Sequence, residues 1–499
     1  MAISLVNAWA GDHQERRAAT LAREAGFEVV VTSSAVSGRV GLLQRTRAAC
    51  VQAALTPVLE RYLDSIVDGL EGADLLIMTS TGGLAERWAF GPIDGLLSGP
   101  AGGAIGAADV ARRHGQRQAI AFDMGGTSTD VTRIADGASI APAHRVGDVT
   151  LERPAVAVET VAAGGGSICG VRDGRPFVGP ESAGAEPGPA CYGAGGPLTL
   201  TDVNLLLNRI TPEHFEVPIA EDDSRRAFQQ VRRSLPPDLA RLSDDELLHG
   251  FLDLANERIA EAIRGVSVRL GYDPADHALI AFGGAGGQHA CAVADRLGMR
   301  SVLAPARASV LSAVGVSTAQ RQREAERSLH RPLDMMIDTL PELISAAHQD
   351  LGVTGEADLR ATLALRLEGQ DATIDLDAEP TDSLADRFVA EYERLYGVRP
   401  ARPIEAVRLR VVASEPARET ATTPNATRKP DARGHHDAAL STRLHRDALD
   451  IDELIHGPTL IVDRQTTTHV PTGWRCRRLS DGCLELTRSA SDERARPGS

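Results

Sequence analysis

Residues Ala121–Val131 read AFDMGGTSTDV. An apolar run ends in Asp123, turns through Gly125 and Gly126, and continues into Thr127, Ser128, Thr129 and Asp130. Paired glycines reach backbone angles that other residues avoid and let a ligand approach the chain closely. Their N–H groups, with the hydroxyls of Thr127 and Thr129, can form a concave donor nest for phosphate oxygens. A carboxylate at the end of a strand is suited to Mg²⁺, usually through water, because that ion keeps much of its hydration shell. Asp-x-Gly-Gly alone fits a plain hairpin with glycines at its tip equally well; the Thr-Ser-Thr-Asp that follows favours phosphate.

Three more glycine turns lie within about 200 residues of chain. Phe282–Cys291 (FGGAGGQHAC) joins a strand to a helix, an arrangement that serves an anion or nucleotide, or else close strand–helix packing. Ser98–Gly106 (SGPAGGAIG) opens a helix over Ala104–Arg113, and Ala162–Ser167 (AAGGGS) starts the loop region that contains GPESAGAEPGPACYG. Four turns so close in sequence point to one shared ligand cleft.

The elements that position these turns follow from hydrophobic periodicity. Strand-like runs are Phe27–Thr32, Asp74–Thr79 and Ala119–Met124, separated by helical stretches at His13–Glu24, around Arg45–Asp68 and at Ala104–Arg113. Strands alternating with helices predict a mainly parallel sheet covered on both faces. Leu252, Ala255, Ile259, Ile263 and Val266 fall at helical spacing, with Gly271 as the expected C-cap and a strand at Ala278–Phe282 following. The expected organisation is a main α/β region over residues 1–328, an α+β unit over 329–415, a linker over 416–447 and a small β-rich element over 448–490.

Composition removes whole classes of function. The net charge of −15, from 53 basic and 68 acidic residues, argues against phosphate-backbone binding, so no nucleic-acid partner is expected. No apolar run approaches the roughly 18–20 residues of a membrane span, the first residues lack the pattern of a signal peptide, and six scattered cysteines read as reduced thiols; a cytoplasmic protein with no membrane partner is expected. Lys429 is the one lysine among the 53 basic residues, and it lies in the linker. A P-loop, a protein kinase and a pyridoxal enzyme each need a lysine in the site, so all three are excluded whether or not a GC-rich coding background explains the bias.

Several motifs together resemble the hydantoinase A/5-oxoprolinase family, which includes the matching subunits of N-methylhydantoinase and acetone-type carboxylases. The resemblance rests on SGPAGGAIGA (98–107), FDMGGTSTDV (122–131), AAGGGSI (162–168), GPESAGAEPGPACYG (179–193), TDVNLLLNRI (201–210), AIRGVSVRLGYDP (262–274) and FGGAGGQHA (282–290), in matching order and spacing, and VLSAVG (310–315) and VPTGW (470–474) also fit. It implies an α/β, actin-like ATPase (ribonuclease H-like) fold whose lobes clamp ATP and Mg²⁺. Carried over, Asp123, Gly125, Gly126 and Thr127, continued by Ser128 and Thr129, form a phosphate motif, with Asp123 and Asp130 as catalytic carboxylates and Asp123 as the Mg²⁺ ligand. Gly283, Gly284 and Gly286 border the nucleoside.

The implied activity is ATP-dependent opening of a hydantoin- or oxoproline-like ring, a cyclic amide, with a partner B-type subunit. A ketone carboxylase subunit and a non-catalytic scaffold are the alternatives. Family members usually begin with about 170–200 further residues, the size of a domain, bearing another Asp-x-Gly-Gly-Thr motif. Residues 1–122 contain none, which implies a separate N-terminal lobe polypeptide, a misassigned start codon or a degenerate chain. The chain also has Glu159 where histidine is frequent, and Gly287-Gln288 where Pro-Leu is common.

Other residues carry two readings each. Asp202 is an N-cap or a site residue, Glu181 and Glu186 are solvated loop carboxylates or a general acid/base pair, and His289 is a satisfied histidine or a ligand-orienting one. Cys191 is a buried thiol or, given a base, a nucleophile. His435, His436 and His445 lack metal-ligand spacing, so no metal other than nucleotide-bound Mg²⁺ is expected.

Overall fold

The protein is described here from a computed structural model, which places residues 1–214, 218–350, 357–415 and 442–489. Most of the expected linker, with Lys429, His435 and His436, lies outside the described residues. The chain folds as a mixed α/β protein with two compact units, each gathered from three stretches: Met1–Gly102, Ile140–Val156 and Val316–Thr420 in one, Gly103–Ser139, Ala157–Gly315 and Ala421–Ser499 in the other.

The second unit holds the glycine turns and is built on an eight-stranded sheet. Its middle strands, Gln118–Met124, Ala278–Phe282 and Ser301–Ala304, are nearly continuous apolar runs, as strands buried on both faces must be. Ile120 and Phe122 point into a core with Phe251, Ala255 and Ile259 of the helix Asp244–Val266; Ala119 and Ala121 point the other way, into a core with Ala107 and Val110 of the helix Ser98–Arg113. Both faces are covered, as expected.

The expectation of a mainly parallel sheet is corrected. Within this sheet, among the described residues, only Gln118–Met124 with Ala278–Phe282, and Ala278–Phe282 with Ser301–Ala304, pair in parallel. Thr129–Ala135 starts directly after the glycine turn, and so short a connection permits only an antiparallel return. Val158–Val161 extends that side, and Leu484–Arg488, Trp474–Arg478 and Ile455–His456 extend the other, all antiparallel. The C-terminal β residues thus complete the central sheet.

Helix Asp244–Val266 starts at Ser243, whose hydroxyl accepts from the Glu246 N–H at 3.2 Å while Glu246 accepts from the Ser243 N–H at 2.8 Å. Leu252, Ala255, Ile259, Ile263 and Val266 are all buried along it, as their spacing predicts. Gly271, at φ +79°, caps the single 3₁₀ turn Val268–Leu270 beyond the helix rather than the helix itself. Gly287 is the second residue of the helix Gly286–Leu297, where a Cβ would lie 2.6 Å from the Thr467 carbonyl, so its bare Cα lets the strand Thr467–Val470 press against that helix.

In the first unit an antiparallel sheet of Gln322–Pro332, Ile404–Ser414, Asp358–Leu367 and Ile374–Asp377 packs against the helices Leu340–Asp350 and Leu384–Tyr396 through Leu340, Leu363, Leu384, Phe388 and Leu409. The helices His13–Glu24 and Leu42–Gly69 are present. Of Phe27–Thr32 only Val31–Thr32 forms a strand, because the chain turns through Gly26 at φ +93°. Leu76–Met78 pairs antiparallel with Leu84–Glu86. Buried Glu15 accepts from Leu5 N–H, Ser33 Oγ, and the N–H and Oγ of Ser34, while buried Arg45 donates to Ser33 Oγ and to the carbonyls of Leu5, Arg39 and Val40.

Candidate functional site

Asp123 is the penultimate residue of its strand, and Asp130 is its cross-strand partner in the return strand. Residues so paired hold their Cβ atoms about 4.5–5.5 Å apart. Burial, the Asp130 charge and, in opposition, a 3.3 Å hydrogen bond from Ser312 Oγ set the Asp123 carboxyl, which is pushed up to about 6. Burial also raises Asp130, against a 2.6 Å hydrogen bond from Thr160 Oγ1. Among the described residues neither carboxylate has an arginine partner. Two facing carboxylates without a compensating cation fit a divalent ion.

Beyond Asp123 the turn Gly125–Ser128 is exposed at its tip. Gly125 donates its N–H to the Ser128 carbonyl at 3.1 Å, so its amide closes the turn instead of facing outward. The N–H groups of Gly126, Thr127 and Ser128 have no hydrogen-bond partner among the described residues. The unpartnered amides of this turn therefore begin at Gly126, one residue later than the expected nest. The Thr127 hydroxyl is exposed, whereas the buried Thr129 hydroxyl donates to the Ala163 carbonyl at 2.5 Å.

The other glycine turns stack on this one by backbone contact. Gly165 and Gly166 donate to the carbonyls of Gly125 and Gly126 at 3.0 and 2.6 Å, and a Cβ on Gly164 would lie 2.7 Å from Ser128 N. Thr201 donates both its N–H and its hydroxyl to the Gly165 carbonyl, at 2.7 and 2.9 Å. Gly283, at φ +79°, sits where a Cβ would run into the Met124 carbonyl and the Asp123 carboxylate, and Ala285 donates to Met124 O at 3.0 Å. Gly286 is buried at the first position of its helix, while Gly284 is open. The Ser98–Gly106 turn does not join them. It is helical, and Gly103 and Gly106 serve close packing on Phe282 and Leu311.

Three turns thus meet at one cleft of about 490 Å³, with Gly125, Gly126, Gly165 and Gly284 on its walls. Asn204, Thr211, Gln288, Ser309, Asp463 and Gln465–Thr467 also line it. TDVN, which carries Asn204, and FGGAGGQHA, which carries Gln288, offered a signal; the 463–467 turn reaches the cleft because Thr467 packs against Gly287 of a helix distant in sequence. Ser309 Oγ donates to Gln465 Oε1 at 2.8 Å, and Asp463 pairs with buried Arg446 at 3.2 Å.

The candidates with two readings resolve by location. Asp202 is not the N-cap. Thr199 is, and the fully buried Asp202 carboxylate accepts from Thr199 N–H and Oγ1, Ala190 N–H, Cys191 N–H and Ser224 Oγ. Cys191 is buried, and burial followed by the nearby Asp202 charge pushes its thiol far up, so no thiolate forms there. His289 is fully buried between Asn256 Oδ1 (2.7 Å) and Asn204 Nδ2 (3.2 Å), and burial, then Arg209, lowers it to about 3. Glu181 is exposed and pairs with Arg172 at 3.0 Å; Glu186 and Glu159 are exposed. None of these three lines the cleft. No group of three or more metal-binding side chains occurs among the described residues, and none of their helices is long and apolar enough to cross a membrane.

The profile of the family described as hydantoinase/oxoprolinase matches residues 45–325. The 5-oxoprolinase PfmaA of Pestalotiopsis fici is 34% identical over 96% of the chain, and the chain spans 40% of that protein's length. The caprolactamase subunit alpha of Pseudomonas jessenii is 31% identical over 98% of the chain and 76% of that subunit. The crystal structure of ATP-dependent caprolactamase from the same organism superposes with a TM-score of 0.82 at 29% identity, covering 98% of this chain and 77% of that one. A nucleotide-free acetone carboxylase superposes with a TM-score of 0.73 at 22% identity, covering 98% and 76%, a likeness of fold alone.

Proposed function

The chain belongs to the hydantoinase/oxoprolinase family, and from that membership we propose that it is the ATP-handling part of a hydrolase that opens cyclic amides, built on an actin-like ATPase fold. One observation carries the reading: three consecutive unpartnered amides, Gly126 to Ser128, lie in the turn between the in-register carboxylates Asp123 and Asp130, and Gly126 lines the cleft. Amides so arranged donate to phosphate oxygens, and the exposed Thr127 hydroxyl adds a donor. Gly284 and the open start of the helix Gly286–Leu297 form the facing wall, with Gly283 and Gly286 holding it against the Asp123 strand.

Mg²⁺, held by Asp123 with Asp130 opposite, would neutralise charge on the phosphate oxygens. The residues of the turn then fix the terminal phosphoryl group for transfer to the amide oxygen, with ADP as leaving group. The phosphorylated amide carbon accepts water far more readily than the amide did; the ring nitrogen then leaves with cleavage of the C–N bond, and a second water hydrolyses the resulting acyl phosphate to the carboxylate and free phosphate. The relatives support the substrate class, one being a 5-oxoprolinase and another an ATP-dependent caprolactamase.

A B-type partner subunit and a cytoplasmic setting belong to the same proposal. Its test is co-expression with a B-type subunit, followed by assay on 5-oxoproline, hydantoin and caprolactam. Ring opening matched by ADP release is expected. Opening that proceeds equally well without ATP would overturn the proposal.

A further inference from the structure

We propose that Gln288 and Asn204 form the edge of the cleft that recognises the adenine base, so that they determine nucleotide specificity. The inference rests on the nucleotide reading above and assigns residues that reading leaves unassigned.

Gln288 lies in the first turn of the helix Gly286–Leu297 and is only 7% exposed, yet its side-chain amide has no hydrogen-bond partner among the described residues. It lines the cleft. The bare Cα of Gly287 brings the Thr467 backbone close, which walls the amide in on the side of the Gln465–Thr467 turn. Asn204, 1% exposed, lines the same cleft, and its Oδ1 is buried without a partner. Asn204 Oδ1 and Thr211 Oγ1, atoms of two residues lining this cleft, are buried without a partner among the described residues. Buried polar atoms of native proteins almost always have partners, so these two mark a wall that a ligand satisfies. The Gln288 amide lies on the same cleft.

The polarity of Asn204 is fixed from behind. The neutral His289 donates Nδ1–H to Asn256 Oδ1, which leaves Nε2 to accept from Asn204 Nδ2 and leaves Asn204 Oδ1 as a buried acceptor without a partner among the described residues. An acceptor there excludes phosphate and carboxylate and demands a donor. The wall is otherwise neutral: Asp463 is the one charged side chain lining the cleft, and Arg446 pairs with it. A carboxamide offers one donor and one acceptor side by side, the complement of adenine's amino group and adjacent ring nitrogen. Asn204 Oδ1 takes a hydrogen of adenine's 6-amino group, whose place in hypoxanthine and guanine is held by a carbonyl oxygen, itself an acceptor.

The test is calorimetric binding of ADP, IDP, GDP and inorganic tripolyphosphate, each with Mg²⁺, to the full chain and to Gln288→Leu and Gln288→Glu, with thermal melts to verify folding. The wild type should bind ADP about ten-fold tighter than IDP or GDP, the discrimination typical of a bidentate amide–base pair. Both variants should lose most of that preference, while their affinity for tripolyphosphate stays unchanged. ADP and IDP binding equally to the wild type, or a folded Gln288→Leu that keeps the full preference, would overturn the assignment and leave the phosphate site standing. Failure of the wild type to bind either tripolyphosphate or any nucleotide would overturn both this assignment and the function it rests on.

Discussion

Asp123 and Asp130 face each other in register across an antiparallel pair, two carboxylates with no arginine partner among the described residues. Burial first, and then the like charge of Asp130 directly opposite, push the Asp123 carboxyl up to about 6.

This pair makes folding pH-dependent. With the Asp123 value raised from 3.8 to about 6, the folded chain holds more protons than the unfolded chain between those limits, so stability contributed by the protonated form is lost as pH rises through them. Thermal melts of the ligand-free protein should show Tm falling from pH 4.5 to 7, and Asp130→Asn should flatten that slope and raise Tm at pH 7. Asp123→Asn should likewise keep or raise Tm while abolishing ATP hydrolysis. An unchanged slope in Asp130→Asn would contradict the pairing.

The same pair predicts a cation effect of the same sign. Because the ion competes with protons for the carboxylates, stabilisation by millimolar Mg²⁺ with ADP should be larger at pH 7.5 than at pH 5. Equal shifts at the two values would separate the cation from these carboxylates.

The glycines divide into two kinds that mutation can tell apart. A Cβ on Gly126 meets nothing within 4 Å, so Gly126→Ala should leave Tm within a degree or two but weaken nucleotide binding by crowding the amides. A Cβ on Gly164 meets three backbone atoms of the facing turn at 2.7–2.8 Å, so Gly164→Ala should cost on the order of 2 kcal/mol by denaturant unfolding as well as binding. Loss of binding without loss of stability in Gly164→Ala would mean that the stacked turns do not support each other.

Much of this was legible locally and little of it at long range. Helix His13–Glu24 and strand Ala278–Phe282 fall where their periodicity placed them, because amphipathic spacing is a property of the segment itself. The pairing of Ser301–Ala304 with Leu484–Arg488 was not legible, since no local pattern records which distant strand lies alongside. For the same reason the 463–467 turn was missed as a cleft wall. Gly125 was expected in the nest and instead closes the turn, a choice decided by hydrogen-bond geometry that residue type cannot reveal.

His289 illustrates how context reassigns a suggestive residue. Its first-turn position beside a glycine motif suggested ligand contact, but burial between Asn204 and Asn256 holds it neutral. His289→Ala should lower stability by about 3 kcal/mol, through a cavity and two unpaired amides. No ionisation near neutrality should be assignable to His289 in the pH–rate profile. An imidazole resonance titrating near pH 6.5 by NMR that disappears in this variant would contradict the assignment.

The claim that nucleotide phosphates sit on the Gly126–Ser128 amides is tested most directly by a crystal structure of the chain with Mg²⁺ and a non-hydrolysable ATP analogue. The account predicts phosphate oxygens within hydrogen-bonding distance of those three amides and the ion beside Asp123. A nucleotide bound elsewhere with that turn empty, or the turn packed against protein, would contradict it.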